Sequence, residues 1–282
     1  MRNNQDRLGG AHTPQSDVPQ TEGGGLSFVV PTEHVELPSK GLYYSPDHPL
    51  HGKETVEIRF MTAKDEDTLT SKNLIKKGVV IDKLIADLVT DKQIRTESLL
   101  IGDRNAIIVA ARISGYGADY DTKVNCPSCA KAQEYSFDLQ TPSVNYALDE
   151  EALENLGITQ TEDGLMHYVL PMSKFKISFK LPTGREEKML VDKLTSKTIV
   201  QNETNATDIL RMMIVGVNDV QNKQHVEQLI QNLPARDSIY FKKLVKMITP
   251  NVSFNSNFEC RFCGFDTEME VPFTADFFWI NR

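Results

Sequence analysis

The sequence predicts an α+β fold of two pseudo-duplicated units, each built of short strands and helices and ending in a cysteine hairpin, behind a flexible N-terminal tail. Three observations carry this reading. Period-two and period-3.6 apolar patterns alternate along the 282 residues. Four cysteines form two Cys-x-x-Cys pairs, Cys126 with Cys129 and Cys260 with Cys263, each between extended segments. The second pair lies 134 residues after the first, and the residues around the two pairs correspond at that same offset.

In chain order, residues 1–25 hold Gly9-Gly10, Pro14, Pro19 and Gly23-Gly24-Gly25 among polar residues, and so bury too little apolar surface to offset chain entropy. A disordered tail is expected there. Leu26–Pro31 and His34–Tyr44 read as extended pieces broken by Pro31, Pro38 and Gly41, which predicts an extended arm over 26–52, its part Leu26–Tyr44 lying along a neighbouring protein. Val56–Met61 alternates as a strand, and Asp65-Glu66-Asp67 then opens a helix, because acids suit the positive end of the helix dipole. Helices follow over Val80–Thr90 and Glu97–Ser114, and strands Tyr120–Asn125 and Glu134–Leu139 flank the first cysteine pair. These elements make a first unit over 53–140. A connector over 141–171, with a strand at His167–Leu170, leads to the second unit over 172–282. There Phe175–Leu181 reads as a strand, Gly184–Leu190 opens a helix, and Ala206–Val217 and Asp237–Ile248 read as helices. Val252–Glu259 and Thr267–Phe273 flank the second cysteine pair.

The repeat is the more specific signal. At an offset of 134, Asp237 falls on Asp103, Leu233 on Leu99, Phe241 on Ile107, Lys246 on Arg112, Met247 on Ile113, Phe254 on Tyr120, Phe258 on Val124, Val271 on Phe137 and Phe273 on Leu139. Upstream, at a different offset, Ile177-Ser178-Phe179 falls on Ile58-Arg59-Phe60. A correspondence that keeps helix period, strand alternation and cysteines together points to a duplicated strand–helices–hairpin unit.

Bulk properties narrow the function. The chain is 40% hydrophobic and 25% charged, ordinary values for a globular core. A net charge of −8 disfavours non-specific attraction to nucleic acid or an anionic membrane, so protein partners are expected rather than nucleic acid, membrane or a small-molecule substrate. The polar start, Met1–Arg7, predicts no secretory signal, and apolar stretches as short as Ala106–Ala111 predict no membrane span. The cysteines are then expected in a reducing compartment, where disulfides are disfavoured.

Cys126-Pro127-Ser128-Cys129 and Cys260-Arg261-Phe262-Cys263 each let one tight turn aim two thiolates at a single point, with turn amides free to bond the sulfurs. Gly264 lets the backbone curl past with positive φ. Four thiolates suit structural Zn2+ in closed tetrahedral geometry, two ligands from each unit, which makes a split zinc ribbon. An iron–sulfur cluster could use the same four donors. A thioredoxin-like pair would want a helix after its first cysteine, whereas strands follow here.

Nothing resembles a catalytic constellation. His12, His34, His48, His51, His167 and His225 show neither metal spacing nor a nucleophile partner and read as surface or loop residues. No G-x-S-x-G elbow, P-loop or G-x-G-x-x-G follows a strand. Asp65–Asp67, Asp149–Glu151 and Glu186-Glu187 sit where helices begin. Asp103 with Arg112 reads as a helix-start charge and a solvated basic tip in preference to a polar switch, and Met212-Met213 as core packing. Phe273, Phe277, Phe278 and Trp279 either pack under the ribbon or form an exposed anchor for another subunit.

Glu36-Leu-Pro-Ser-Lys-Gly-Leu-Tyr-Tyr44, Ile58-Arg-Phe-Met-Thr-Ala-Lys-Asp-Glu66, Gly102-Asp-Arg104 ahead of Ala111-Arg-Ile-Ser-Gly-Tyr-Gly117, and Val124-Asn-Cys-Pro-Ser-Cys129 together resemble the T4-like phage baseplate hub and hub-assembly proteins. The resemblance is fullest over residues 33–140, and the cysteine hairpin with its Phe-Phe-Trp ending shares it. It implies a non-enzymatic structural or assembly subunit of a contractile-tail baseplate hub, with other hub or tail subunits as partners. It also implies work in the host bacterial cytoplasm during assembly, with the virion tail baseplate as the other location. The alternative from the residues alone is a zinc-ribbon nucleic-acid-binding or regulatory protein, which would need a basic face at the knuckles. Lys123, Lys131 and Arg261 are instead mixed with Glu134, Asp138, Glu259 and Asp266.

Overall fold

Alternating polar and apolar residues make Thr32–Glu36 (β1) and Thr55–Arg59 (β2) an antiparallel ribbon, with Val35 opposite Val56 and both turned to the core. The computed structural model describes residues 29–161, 163–189, 206–271 and 275–278. The tail expected over 1–25 lies outside the described residues, as do Leu26, Phe273 and Trp279. From Pro31 onward the chain forms one contact unit. The arm expected over 26–52 is corrected from Thr32 on. This stretch pairs with β2, and Leu37, Ser39, Tyr43 and Tyr44 are buried in the chain's own core, so its apolar face is spent internally.

Thr62 opens α1 (Ala63–Thr70): its amide and hydroxyl each donate 2.8 Å hydrogen bonds to the Asp65 carboxylate, which also takes a bidentate pair from Arg59 at 2.7 and 2.8 Å. After α2 (Lys72–Lys76) comes α3 (Val80–Leu88), whose Val80, Leu84, Ile85 and Leu88 form one buried helical stripe. The helix expected over Glu97–Ser114 is broken. A 3-10 turn at Thr96–Ser98 ends in extended Leu99 and Leu100, and α4 runs from Ile101 to Tyr116. The break follows from tertiary demand: Leu100 bridges to Thr183 and its amide donates to the Tyr44 hydroxyl. The helix α4 is central, touching α3, β1, the segment Asn251–Ser253 and the turn Ala275–Phe278. At Gly102 the approach is so close that a Cβ would collide with the Pro250 carbonyl.

β3 (Asp119–Asn125) and β4 (Ala132–Asp138) form the first cysteine hairpin. The connector expected over 141–171, with a strand at His167–Leu170 and a helix start at Asp149–Glu151, holds β5 (Ser143–Asn145), α5 (Glu150–Asn155), β6 (Ile158–Gln160) and β7 (Met166–Val169). Asp149 caps α5 through a 2.9 Å bond from the Ala152 amide.

β7 pairs with β8 (Lys176–Phe179), and β6 and β9 (Ile214–Val217) complete a four-stranded antiparallel sheet in the order β6-β7-β8-β9. Helical α6 covers residues 184–189. The helix expected over Ala206–Val217 ends as α7 at Met213, because Ile214-Val-Gly-Val217 pairs with β8 instead. α8 (Lys223–Asn232) buries Val226, Leu229 and Ile230, and α9 (Ala235–Ile248) buries Phe241, Leu244, Val245 and Ile248. β10 (Asn251–Ser253) pairs back to β5, and β11 (Asn255–Glu259) with β12 (Asp266–Glu270) forms the second cysteine hairpin.

One core cluster runs from Val35 to Phe278 and takes in both parts of the chain. Several local devices occur twice. Thr183 donates its amide to Glu186 at 3.0 Å while Lys180 pairs with Glu186 at 2.7 Å, matching Thr62, Asp65 and Arg59 at an offset of 121. The upstream correspondence read from sequence, Ile58 with Ile177, is therefore two residues short, since Ile58 matches Phe179, and both are fully buried. A slip of two keeps every side chain on its face of the strand, which is why alternation alone could not detect it.

Candidate metal centre

The two hairpin tips have the same backbone. In the first, the Cys126 amide donates to the Lys131 carbonyl at 3.0 Å and the Ala130 amide to the Cys126 carbonyl at 2.9 Å. In the second, the Cys260 amide donates to the Phe265 carbonyl and the Gly264 amide to the Cys260 carbonyl, both at 2.9 Å. Ala130 has φ +57° and Gly264 φ +67°, so both tips bend through the left-handed region, at a cost only for the alanine.

The hairpins face one another. Buried Gln133 on β4 donates to the Glu259 carbonyl at 3.0 Å and accepts the Arg261 amide at 2.9 Å. The Tyr135 hydroxyl reaches the Asn257 carbonyl at 2.9 Å and Ser256 Oγ at 2.6 Å. Val124, Tyr135, Phe258 and Met269 pack around Cys126 and Cys260. These contacts bring the four predicted cysteines together: Cys126 Sγ lies 3.8 Å from Cys263 Sγ, Cys129 Sγ 3.7 Å from Cys260 Sγ, and all four sulfurs fall within 4.8 Å of one another. Such separations are far beyond a disulfide bond of about 2.05 Å. The separations of 3.7 and 3.8 Å match the edge of a tetrahedron with metal–sulfur bonds of about 2.3 Å, which gives roughly 3.8 Å between ligands. The donor set therefore fits a tetrahedral thiophilic ion.

The electrostatics agree. Burial raises the Cys260 thiol, but the Phe262 and Cys263 amides and the neighbouring thiols outweigh it and lower it to about 6. At Cys263 the Phe265 amide draws the value down, yet burial and the adjacent sulfurs push it up to about 12. One proton leaves the cluster easily and the next is held, because negative charge gathers on sulfurs under 5 Å apart. A cation among them would remove that repulsion.

Elsewhere the residues read as chemistry turn out to be scaffold. Asp103 and Arg112, read as a helix-start charge and a solvated tip, are both buried. Arg112 donates to the carbonyls of Phe277, Gly117 and Asp119 at 3.1, 3.0 and 3.3 Å, so the guanidinium pins the Ala275–Phe278 turn and the start of β3 to α4. Its counterpart Lys246 is exposed. Phe277 and Phe278 are buried, with the Phe277 ring edge-on to Tyr120 at 5.0 Å, which favours packing over an exposed anchor. His48 is not a plain surface residue: it stacks on Tyr44 at 4.2 Å, and burial lowers its pKa. Among the described residues, no cluster of histidine, cysteine or carboxylate other than Cys126, Cys129, Cys260 and Cys263 has metal-binding geometry.

A family model described as T4 bacteriophage base plate protein matches residues 32–279. The chain belongs to that family. Comparison with curated proteins and with solved structures gives no match. The base plate family match takes in the segment 141–235, where the sequence resemblance was thinnest, and both cysteine hairpins. Membership gives this base plate protein a structural or assembly role in the phage tail, exercised through other tail proteins. Among its described residues no helix is long and apolar enough to cross a membrane.

Proposed function

We propose that this base plate protein is a non-enzymatic structural or assembly subunit of the baseplate hub, whose two related halves are stapled by one structural zinc ion. Cys126, Cys129, Cys260 and Cys263 would hold the ion and fill its coordination shell, leaving no position for substrate. The single observation that carries the reading is the convergence of four sulfurs within 4.8 Å from hairpins 131 to 137 residues apart. Duplication of one ancestral unit is supported by the paired Thr–acid helix starts, the paired hairpin tips and the paired buried aspartates. The halves then act as one body that presents fixed surfaces to neighbouring hub subunits, assembled in the host bacterial cytoplasm and delivered to the tail. Two measurements test this. Elemental analysis of the purified chain should return one zinc, with chelation loosening the hairpins, and the tagged chain should co-purify with hub proteins from infected cells. Purified protein free of any metal would sink the staple, and co-purification with tail-fibre or sheath proteins alone would sink the hub assignment.

A further inference from the structure

The exposed face of α9 is the least explained surface of the second half. Its sequence, Ala235–Ile248, buries Asp237, Phe241, Leu244, Val245 and Ile248 on one side. The opposite side presents Arg236, Ile239, Tyr240, Lys243, Lys246 and Met247, which follow the helical spacing of three and four residues and so form one continuous stripe. Three of its members are large apolar residues left open: Ile239 is 53% exposed, Tyr240 48% and Met247 49%. The other three are cations, and the one acid of the helix, Asp237, points the other way and is fully buried. Among the described residues none of Arg236, Lys243 and Lys246 has an ion-pair partner. A cationic stripe of this kind stands out in a chain whose net charge is −8.

The matching helix shows what such a face does when it is covered. At the offset of 134, Tyr240, Lys243 and Lys246 correspond to Ala106, Val109 and Arg112 of α4, all of them buried. That helix is packed by α3 and by the Ala275–Phe278 turn, and Arg112 holds the Phe277 carbonyl at 3.1 Å. The same helix position is closed from within the chain in one half and open in the other.

We propose that the open stripe of α9 docks an acidic amphipathic segment of another tail protein, its carboxylates meeting Arg236, Lys243 and Lys246 and its apolar side chains seating on Ile239, Tyr240 and Met247. The inference rests on the hub reading above and names the chemistry of one partner. Charge complementarity selects an acidic occupant. The interleaved Ile239 and Met247 select protein over nucleic acid, because phosphates make no use of exposed aliphatic surface. A second copy of this chain would bring a cationic stripe against a cationic stripe in any two-fold arrangement about this face, which like-charge repulsion disfavours.

The test places a photo-reactive benzoylphenylalanine at position 240 of the full-length chain, produced in cells that are assembling tails, with Lys243→Glu/Lys246→Glu as the charge-reversed control. All three positions are exposed, and a thermal melt of each variant checks that the fold is retained. The expected result is a cross-link to an acidic peptide of a different tail protein, with its yield cut about tenfold or more by the charge reversal. A cross-link to the chain's own residues or to nucleic acid would overturn the proposal, as would a yield indifferent to the reversal. No cross-link from a chain that still co-purifies with hub proteins would overturn this face alone, whereas loss of all tail-protein association would overturn the hub reading with it.

Discussion

The Asp103 carboxylate accepts the Ser39 amide at 3.0 Å and the Ser39 hydroxyl at 2.6 Å, while the Asp237 carboxylate accepts the amides of Met172 and Ser173, each at 2.8 Å. Both aspartates are fully buried near the start of a long helix, and each stands 23 residues before the first cysteine of its hairpin. The turns they hold also match, Leu37-Pro-Ser-Lys40 and Leu170-Pro-Met-Ser-Lys174, with Lys40 at φ +48° and Lys174 at φ +61°. Each carboxylate thus fastens a strand-ending turn to a helix far along the chain.

Replacing Asp103 by Asn is expected to lower stability by about 2–3 kcal/mol, because an amide nitrogen then faces donors from Ser39 and Tyr44 in a fully buried site. Urea unfolding of Asp103→Asn against the parent chain measures it. An unchanged midpoint would mean that the turn is held by its own backbone.

The pH dependence should have two parts of opposite sign. Burial raises the Asp103 carboxyl above its ordinary value despite its donors, so the native chain binds that proton more tightly than the unfolded one. Its contribution is largest in acid and falls as pH rises from the ordinary carboxylate value towards the folded one. Asp65 and Glu186 run the other way. Burial opposes ionisation, but Arg59 with Thr62, and Lys180 with Thr183, hold these carboxyls below their ordinary values. Their contribution is complete above the ordinary value and is lost as pH falls through the folded one. Unfolding midpoints between about pH 2 and pH 7 should therefore drop on the acid side. Asp65→Asn should flatten that acid limb, and Asp103→Asn, which removes the opposing contribution, should steepen it.

Metal removal should act on the hairpins first. Chelation, or Cys129→Ser, is expected to cost several kcal/mol, on the order of a sizeable fraction of the total stability of a small domain. Because Gln133 and Tyr135 still bridge β4 to β11, the hairpins should loosen before the rest of the core melts. Hydrogen exchange at the Lys131 and Phe265 turns reads this, and simultaneous loss of protection throughout the core would contradict it.

Ala130→Gly should stabilise the chain, by up to about 1 kcal/mol, since the alanine sits at φ +57° where Gly264 occupies the equivalent place. A thermal melt suffices, and a lower midpoint would show that the alanine methyl packs more favourably than the strain it carries.

Arg112→Met removes three bonds, one to the carbonyl of buried Phe277 and two to the carbonyls of exposed Gly117 and Asp119, at an expected cost of about 2–3 kcal/mol. Limited proteolysis should then cut near Phe277 before it cuts β3, since the guanidinium donates to the Phe277 carbonyl and so ties α4 to that turn.

The parts of this fold that sequence alone revealed are those with a local period or a fixed spacing. The cysteine hairpins, α3, α9 and the offset linking Asp103 to Asp237 belong here. The hidden parts depend on distant partners. Ile214–Val217 continues a helical pattern and becomes a strand only because β8 offers it a ladder. Arg112 looked like a solvated tip because the carbonyls it serves have no side-chain signature. Ser39 gave no sign that its anchor is an aspartate 64 residues away. The helix α8 was missed among polar residues, although Val226, Leu229 and Ile230 carried its period in plain view. At the cysteines, spacing named the donors, while their convergence rests on Gln133 and Tyr135, which no motif singled out.

The wide separation of the two knuckles also sets an order of events during synthesis. Cys126 and Cys129 leave the ribosome and must wait for partners 131 to 137 residues downstream, roughly 7 to 27 seconds at about 5–20 residues per second. For that interval the proposed metal site would exist only as a two-thiol half, which would hold an ion weakly. A chain stopped before the second hairpin can never complete the shell, so a tightly held ion would mark the molecules translated far enough to enter assembly.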